Sequence, residues 1–142
     1  KTLEPKHISE MQEKHRAVKK TLTRLSVTCV FNDCASTLEA LHLKGIIQAV
    51  CSNSSDVEGL NAAAEELGIK SFFDGGIFTQ EAVGGIRKPD PAMLNAAMKE
   101  SGISLKNTVM IGDTAADRDA ARNAGILFIA FVNPRYGEHS EE

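Results

Sequence analysis

Asp113 and Asp117 stand four residues apart in the stretch TVMIGDTAADRDAARNAG, Thr108–Gly125. An apolar β-type run (Val109, Met110, Ile111) leads into Gly112, and a small-residue helix follows until Gly125 stops it. Residues four apart share a helix face, so a carboxylate at a strand tip and one a turn later converge on a hard cation. Mg²⁺ is held in this way, by one or two carboxylates, waters and phosphate oxygens rather than by a full protein cage. The plainer reading is an acidic first turn that complements the helix macrodipole. Two upstream clusters tip the balance. Ser52, Asn53, Ser54 and Ser55 follow an apolar run, and Ser55 with Glu58 has capping-box spacing. Such hydroxyls serve as helix caps, and they also lie where backbone N–H groups favour an anion. Lys88 sits in Arg87-Lys88-Pro89-Asp90-Pro91, where Asp90 as N-cap and Pro91 at the first helical position form a helix start. A lysine held rigidly beside hydroxyls and carboxylates is a candidate phosphate clamp.

The elements that must position these groups repeat in a regular order. Helical patterns at residues 36–44, 56–67, 91–101 and 114–124 each end at a glycine: Gly45, Gly68, Gly102 and Gly125. Glycine just past a helix is the left-handed stop. Apolar β-type runs follow at Ile46–Cys51, Ile69–Phe73, Thr108–Ile111 and Ile126–Val132. They read as parallel strands covered on both faces. Alternating helix and strand predict an α/β fold, a Rossmann-like doubly wound, mostly parallel sheet. Ligands in such folds gather beyond the carboxyl ends of the strands, which is where Ser52 and Asp113 fall.

Upstream, residues 9–25 have one apolar stripe (Met11, His15, Val18, Leu22, Leu25) and a basic opposite face, the pattern of an amphipathic helix. Val27–Phe31 has the composition of a short strand or an extended connection. The tail from Pro134 is polar and expected to fray.

Composition narrows the function classes. With 142 residues there is room for one core, and a net charge of −3 gives no electrostatic case for nucleic acid or an anionic membrane. No apolar run approaches the ~20 residues of a membrane span, and the charged, helix-like first 25 residues are unlike a signal peptide. Cys29, Cys34 and Cys51 are odd in number and lack CxxC spacing. That favours reduced thiols in a cytoplasmic protein over a disulfide framework or a zinc site.

A serine tip, a lysine, and a Gly-Asp with a second acid four residues on, at intervals of 36 and 25 residues between Ser52, Lys88 and Asp113, resemble the haloacid dehalogenase superfamily. AVCSNSS is similar to its second motif, RKPDPAML to its third and MIGDTAADRDAARNAG to its fourth. From about Thr37 to Val132 the chain resembles the phosphoglycolate-phosphatase and β-phosphoglucomutase-like branch. The resemblance implies a Mg²⁺-dependent phosphohydrolase acting on a small phosphorylated metabolite. In it Ser52, with Asn53 or its backbone, binds the phosphoryl group. Lys88 neutralises charge on the phosphoryl oxygens and on the nucleophile. Asp113 and Asp117 hold the metal, directly or through water. Residues 1–26 are then the remnant of a helical cap, and 27–142 the α/β core.

The superfamily's first motif, Asp-x-Asp-x-Thr, supplies a nucleophile and a general acid/base, and here the pattern departs. No Asp-x-Asp occurs before Ser52. Asp33-Cys34-Ala35-Ser36-Thr37 offers Asp33 as a candidate nucleophile, with Ala35 where the acid belongs. Alternatively, Val27–Leu41 is the chain leaving the cap, and the first motif lies upstream of residue 1. On that reading the chain is a fragment, a split protein or a degenerate homologue, and hydrolysis is impaired. Two functions are therefore weighed: the phosphatase, and a non-catalytic domain of the same fold that works by binding or assembly, as a homo-oligomer or with a partner chain supplying missing elements. The four convergent residues favour the first.

Overall fold

The structure, a computed structural model, describes residues 31–132. The expected helix over residues 9–25, most of the Val27–Phe31 strand, the cap remnant and the tail from Pro134 lie outside the described residues.

The described chain alternates helix and strand: α1 (Cys34–Leu43), β1 (Val50–Ser52), α2 (Val57–Glu66), β2 (Ile77–Thr79), α3 (Ala92–Ser101), β3 (Val109–Gly112), α4 (Ala115–Ala124) and β4 (Leu127–Ala130). The four helices stop where the sequence placed glycines, and Gly45, Gly68, Gly102 and Gly125 all adopt positive φ. Two compact units are present.

The first unit holds α1, α2 and a 3₁₀ turn at Lys70–Phe72, within residues up to 48 and 56–74. Two expectations change here. Ser55 is not the cap of α2; Asp56 is, and its carboxylate accepts the Gly59 N–H at 2.8 Å. The Asp56 side chain fills the space a Cβ on Gly59 would need. Nor is Ile69–Phe73 a strand. The Gly68 and Ile69 N–H groups turn back to the Glu65 and Ala64 carbonyls, and the chain continues as a 3₁₀ turn. Buried Gln48 binds this unit together: its side-chain amide donates to the Leu38 and Phe72 carbonyls. Its backbone N–H donates to Asp74 at 3.0 Å. That bond explains why the run Ile46–Cys51 becomes a strand only from Val50.

The second unit, residues 49–55 and from 75 onward, carries all four strands. β1 pairs parallel with β2, Cys51 opposite Phe78, and β3 pairs parallel with β4, Met110 opposite Phe128. β2 takes the place expected for Ile69–Phe73, because the Gly76 carbonyl accepts the Val50 N–H and aligns Ile77 with Val50. Helix α3 packs on β1 and β2, α4 packs on β3 and β4, and the two helices pack on each other. Leu94 and Met98 of α3 meet Ala120 and Ala124 of α4, with Cys51, Met110 and Ile126 against them. Met93, wholly buried, joins Phe78 and Ala97. The small-residue face of α4 is what lets α3 approach. Exposed and half-buried residues alternate along β3, with Val109 and Ile111 exposed, whereas on β4 only Phe128 is half-buried and Leu127, Ile129 and Ala130 are exposed. The continuous apolar runs predicted two covered faces; within the second unit the described residues cover only one face of this pair.

Candidate active site

Of the second unit's candidate residues, Asn53, Lys88 and Asp117 are joined by direct hydrogen bonds between the carboxyl end of β1 and the start of α4. Cys51 and Ser52 end β1, and Asn53 begins the loop that follows. Gly112 ends β3, Asp113 follows it, and Thr114 caps α4. Lys88 arrives on the segment before α3. There the Asp90 N–H closes a turn on the Arg87 carbonyl, and the Asp90 carboxylate accepts the Ala92 N–H at 2.9 Å. The expected Asp90–Pro91 helix start is thus present in function, with Pro91 itself the boundary residue.

Lys88 is the centre of this arrangement. Its Nζ donates to the Cys51 carbonyl at 2.6 Å and to Asp117 Oδ1 at 2.5 Å. Both charged side chains are buried, 9% and 7% exposed, so their attraction is little screened. The other carboxylate oxygen of Asp117 accepts the Thr114 hydroxyl at 2.6 Å and the Thr114 N–H at 3.1 Å, while the Thr114 hydroxyl accepts the Asp117 N–H. This reciprocal capping box fixes the carboxylate at the helix N-terminus. Burial pushes Asp117 up, but the hydrogen bonds from Lys88 and Thr114 outweigh it and hold the carboxyl below the ordinary aspartate range.

Gly112 is required by the closeness of this contact. A Cβ there would stand 2.5 Å from the Asp117 Cβ. Asn53 turns its amide onto the Lys88 backbone: Nδ2 donates to the Lys88 carbonyl at 3.0 Å, and Oδ1 accepts the Lys88 N–H at 2.7 Å. The Ser52 hydroxyl accepts the Ser54 N–H at 3.2 Å, which leaves its own hydrogen to donate. Asp113 is exposed, and among the described residues no hydrogen bond or ion pair engages its side chain. Lys88, Asn53 and Asp117 are thus directly bonded, with Ser52 next to the carbonyl that Lys88 grips. Asp33 belongs to the first unit, where it precedes α1 without a side-chain cap bond.

Sequence reasoning missed three contributors. Thr114 was legible, since Thr-x-x-Asp before a helix has capping-box spacing. Asn123, whose Nδ2 donates to the Pro89 carbonyl at 3.0 Å, and the Cys51 carbonyl carried no local signal. The Cys51 thiol is pushed up to about 11, mainly by burial; the Lys88 charge pulls it down and the Asp117 charge raises it. The thiolate is the reactive form. We therefore expect Cys51 to resist iodoacetamide at pH 8 and to label readily only as the pH approaches 11, read by peptide mass spectrometry. Fast labelling at pH 8 would contradict this burial.

The carboxylate donors suit a hard cation. Among the described residues no three His, Cys, Asp or Glu side chains gather as a metal cage, and Mg²⁺ asks the protein for only one or two carboxylates. Asp113 offers a free carboxylate for direct contact, whereas both Asp117 oxygens already accept hydrogen bonds.

Comparisons with known proteins place the chain in a family. The haloacid dehalogenase-like hydrolase family matches residues 2–125. A phosphoglycolate phosphatase of Agrobacterium fabrum is 32% identical over 90 residues, which cover 63% of this chain and 37% of that protein. The crystal structure of a HAD family hydrolase from Deinococcus radiodurans, with bound phosphate and sodium, is 28% identical with a TM-score of 0.63, covering 69% of this chain and 42% of that one. A β-phosphoglucomutase-type structure from Thermotoga maritima shares the fold, with a TM-score of 0.72 at 20% identity over 86% of this chain and 56% of its own. The chain thus spans well under half the length of the curated relative it matches. No helix among the described residues is long and apolar enough to cross a membrane. With its parallel α/β architecture and a family match running from residue 2 to residue 125, the chain belongs to the haloacid dehalogenase-like hydrolases.

Proposed function

We propose that the chain serves Mg²⁺-dependent hydrolysis of a phosphate monoester on a small metabolite of the phosphoglycolate class. The observation that carries this reading is the buried contact of Lys88 with Asp117 beside the carboxyl end of β1. A phosphoryl group spreads charge over its oxygens, and catalysis of its transfer is chiefly positioning and charge stabilisation. Ser52 donates a hydrogen bond to the phosphoryl group. Lys88 supplies positive charge from a fixed ammonium, and Asp117 keeps that ammonium aimed. Asp113 is the residue that would hold Mg²⁺ directly, with Asp117 reaching it through water. When bound, the ion would neutralise charge on the phosphoryl oxygens.

These 142 residues contain no Asp-x-Asp pair before Ser52. General acid/base assistance, worth ~10²–10⁴ in rate, therefore has no paired aspartate within them, and Asp33, with Ala35 where the acid belongs, is read as the weaker alternative for the nucleophile. The expected result is inorganic phosphate binding that requires Mg²⁺ in titration calorimetry. Asp113→Asn should weaken it by at least about tenfold, the loss of one charged contact. Turnover of p-nitrophenyl phosphate by the 142-residue chain should be slow and insensitive to Asp33→Asn. Phosphate binding indifferent to both Mg²⁺ and Asp113 would refute the metal reading. Fast turnover abolished by Asp33→Asn would show Asp33 to be the nucleophile and the chain a competent enzyme.

A further inference from the structure

We infer that Asn53 and Asn123 are positioning residues that clip the Lys88–Pro89 segment from two sides and so hold the Lys88 ammonium in place. The inference gives Asn53 a different task from the phosphate contact its sequence position suggests. It rests on the proposed function only in what Lys88 is held for.

The geometry is specific. Asn53 spends both ends of its amide on the backbone of a single residue, donating to the Lys88 carbonyl at 3.0 Å and accepting the Lys88 N–H at 2.7 Å. The backbone donor and the backbone acceptor of Lys88 are thereby both paired across 35 residues of sequence. From α4, Asn123 donates to the next carbonyl, that of Pro89, at 3.0 Å, a contact 34 residues distant. Pro89 has no N–H and cannot be held by a ladder bond of its own. The segment lies outside every strand and helix, so side chains must do what secondary structure does elsewhere. A lysine stem has four rotatable carbons, and aiming the ammonium requires its root to be immobile. The clip fixes that root, and the Cys51 carbonyl and Asp117 fix the tip.

A direct phosphate ligand and a positioning residue differ in how their losses combine. Residues acting through one another are strongly non-additive, whereas independent contacts add. The test uses the 142-residue chain with Asn53→Ala, Asn123→Ala, Asn53→Asp, Lys88→Gln and the Asn53→Ala/Lys88→Gln double variant. Two quantities are read. One is the ¹H–¹⁵N signal of the Lys88 ammonium in ligand-free protein, assigned through its side-chain carbons; the other is the Kd for inorganic phosphate with Mg²⁺.

Asn53→Ala should erase the ammonium signal by exchange with water while the Met93 and Met98 methyl signals stay in place. It should weaken phosphate binding by about tenfold, as expected for two hydrogen bonds, yet change it less than about twofold in the Lys88→Gln background. Asn123→Ala should do the same more weakly, and Asn53→Asp, which keeps the acceptor for the Lys88 N–H, should restore part of the signal. An undisturbed ammonium signal in Asn53→Ala overturns the inference. So does an equal loss of phosphate affinity with and without Lys88, because Asn53 would then touch phosphate itself. If the unmodified chain binds no phosphate with Mg²⁺, the proposed function fails, and the ammonium signal alone decides the clip.

Discussion

Asp117→Ala is expected to lower the unfolding free energy by about 3–5 kcal/mol, the cost of leaving one member of a buried ion pair uncompensated. Lys88 would then be left in a site only 9% exposed with the Cys51 carbonyl as its remaining partner. Thr114 would lose the acceptor for both its hydroxyl and its N–H, so α4 loses the reciprocal half of its capping box while the Thr114 hydroxyl still accepts the residue-117 N–H. Replacing both partners with apolar residues of similar size, as in Lys88→Met with Asp117→Leu, should recover most of that loss, because neither charge is then stranded. Urea denaturation at neutral pH separates the two cases. A single variant as stable as the double one would mean that the pair is solvated rather than buried.

The same pair predicts a pH dependence. The Asp117 pKa is lowered in the folded chain, so the stability it contributes is fully present above the unfolded aspartate value of about 3.9 and is lost as pH falls through the lower folded value. The gap in stability between the unmodified chain and Asp117→Asn should therefore be widest at neutral pH and close below about pH 4. A gap that widened on acidification would reverse the sign and refute the assignment.

Gly112→Ala is the second large effect. The added Cβ would meet Asp117 Cβ at 2.5 Å and Cγ at 2.6 Å, and neither is the far end of a flexible chain. Overpacking of this kind costs about 1–3 kcal/mol, and the only relief is to push Asp117 off Lys88. Stability and the Lys88 ammonium signal should therefore fall together. Gly125→Ala makes a useful contrast. Nothing crowds a Cβ there, but φ is +73°, so it should cost about 1–2 kcal/mol for the backbone alone and leave the ammonium signal intact.

Much of the fold was legible because its signals are short-ranged. A glycine a few residues past an apolar helical pattern marks a left-handed stop wherever it lies in the protein, and all four such glycines behave accordingly. The alternation of helix and strand, and the order of Ser52, Lys88 and Asp113, are likewise properties of the chain itself. Pairing is not. Ile69–Phe73 and Ile77–Thr79 are both short apolar segments, and only the docking of Gly76 beside Val50 decides which one becomes the strand.

At the site the amino-acid sequence by itself determined the residue types, their order and the local caps that set them at strand ends and helix starts. Tertiary structure alone decided that Lys88 grips Asp117 and the Cys51 carbonyl, and that Asn53 and Asn123 hold its peptide, across separations of 29 to 37 residues. The physical reason is range. Periodicity and capping act within a turn or two of backbone, whereas a buried ion pair depends on where the α3–α4 core brings distant loops together.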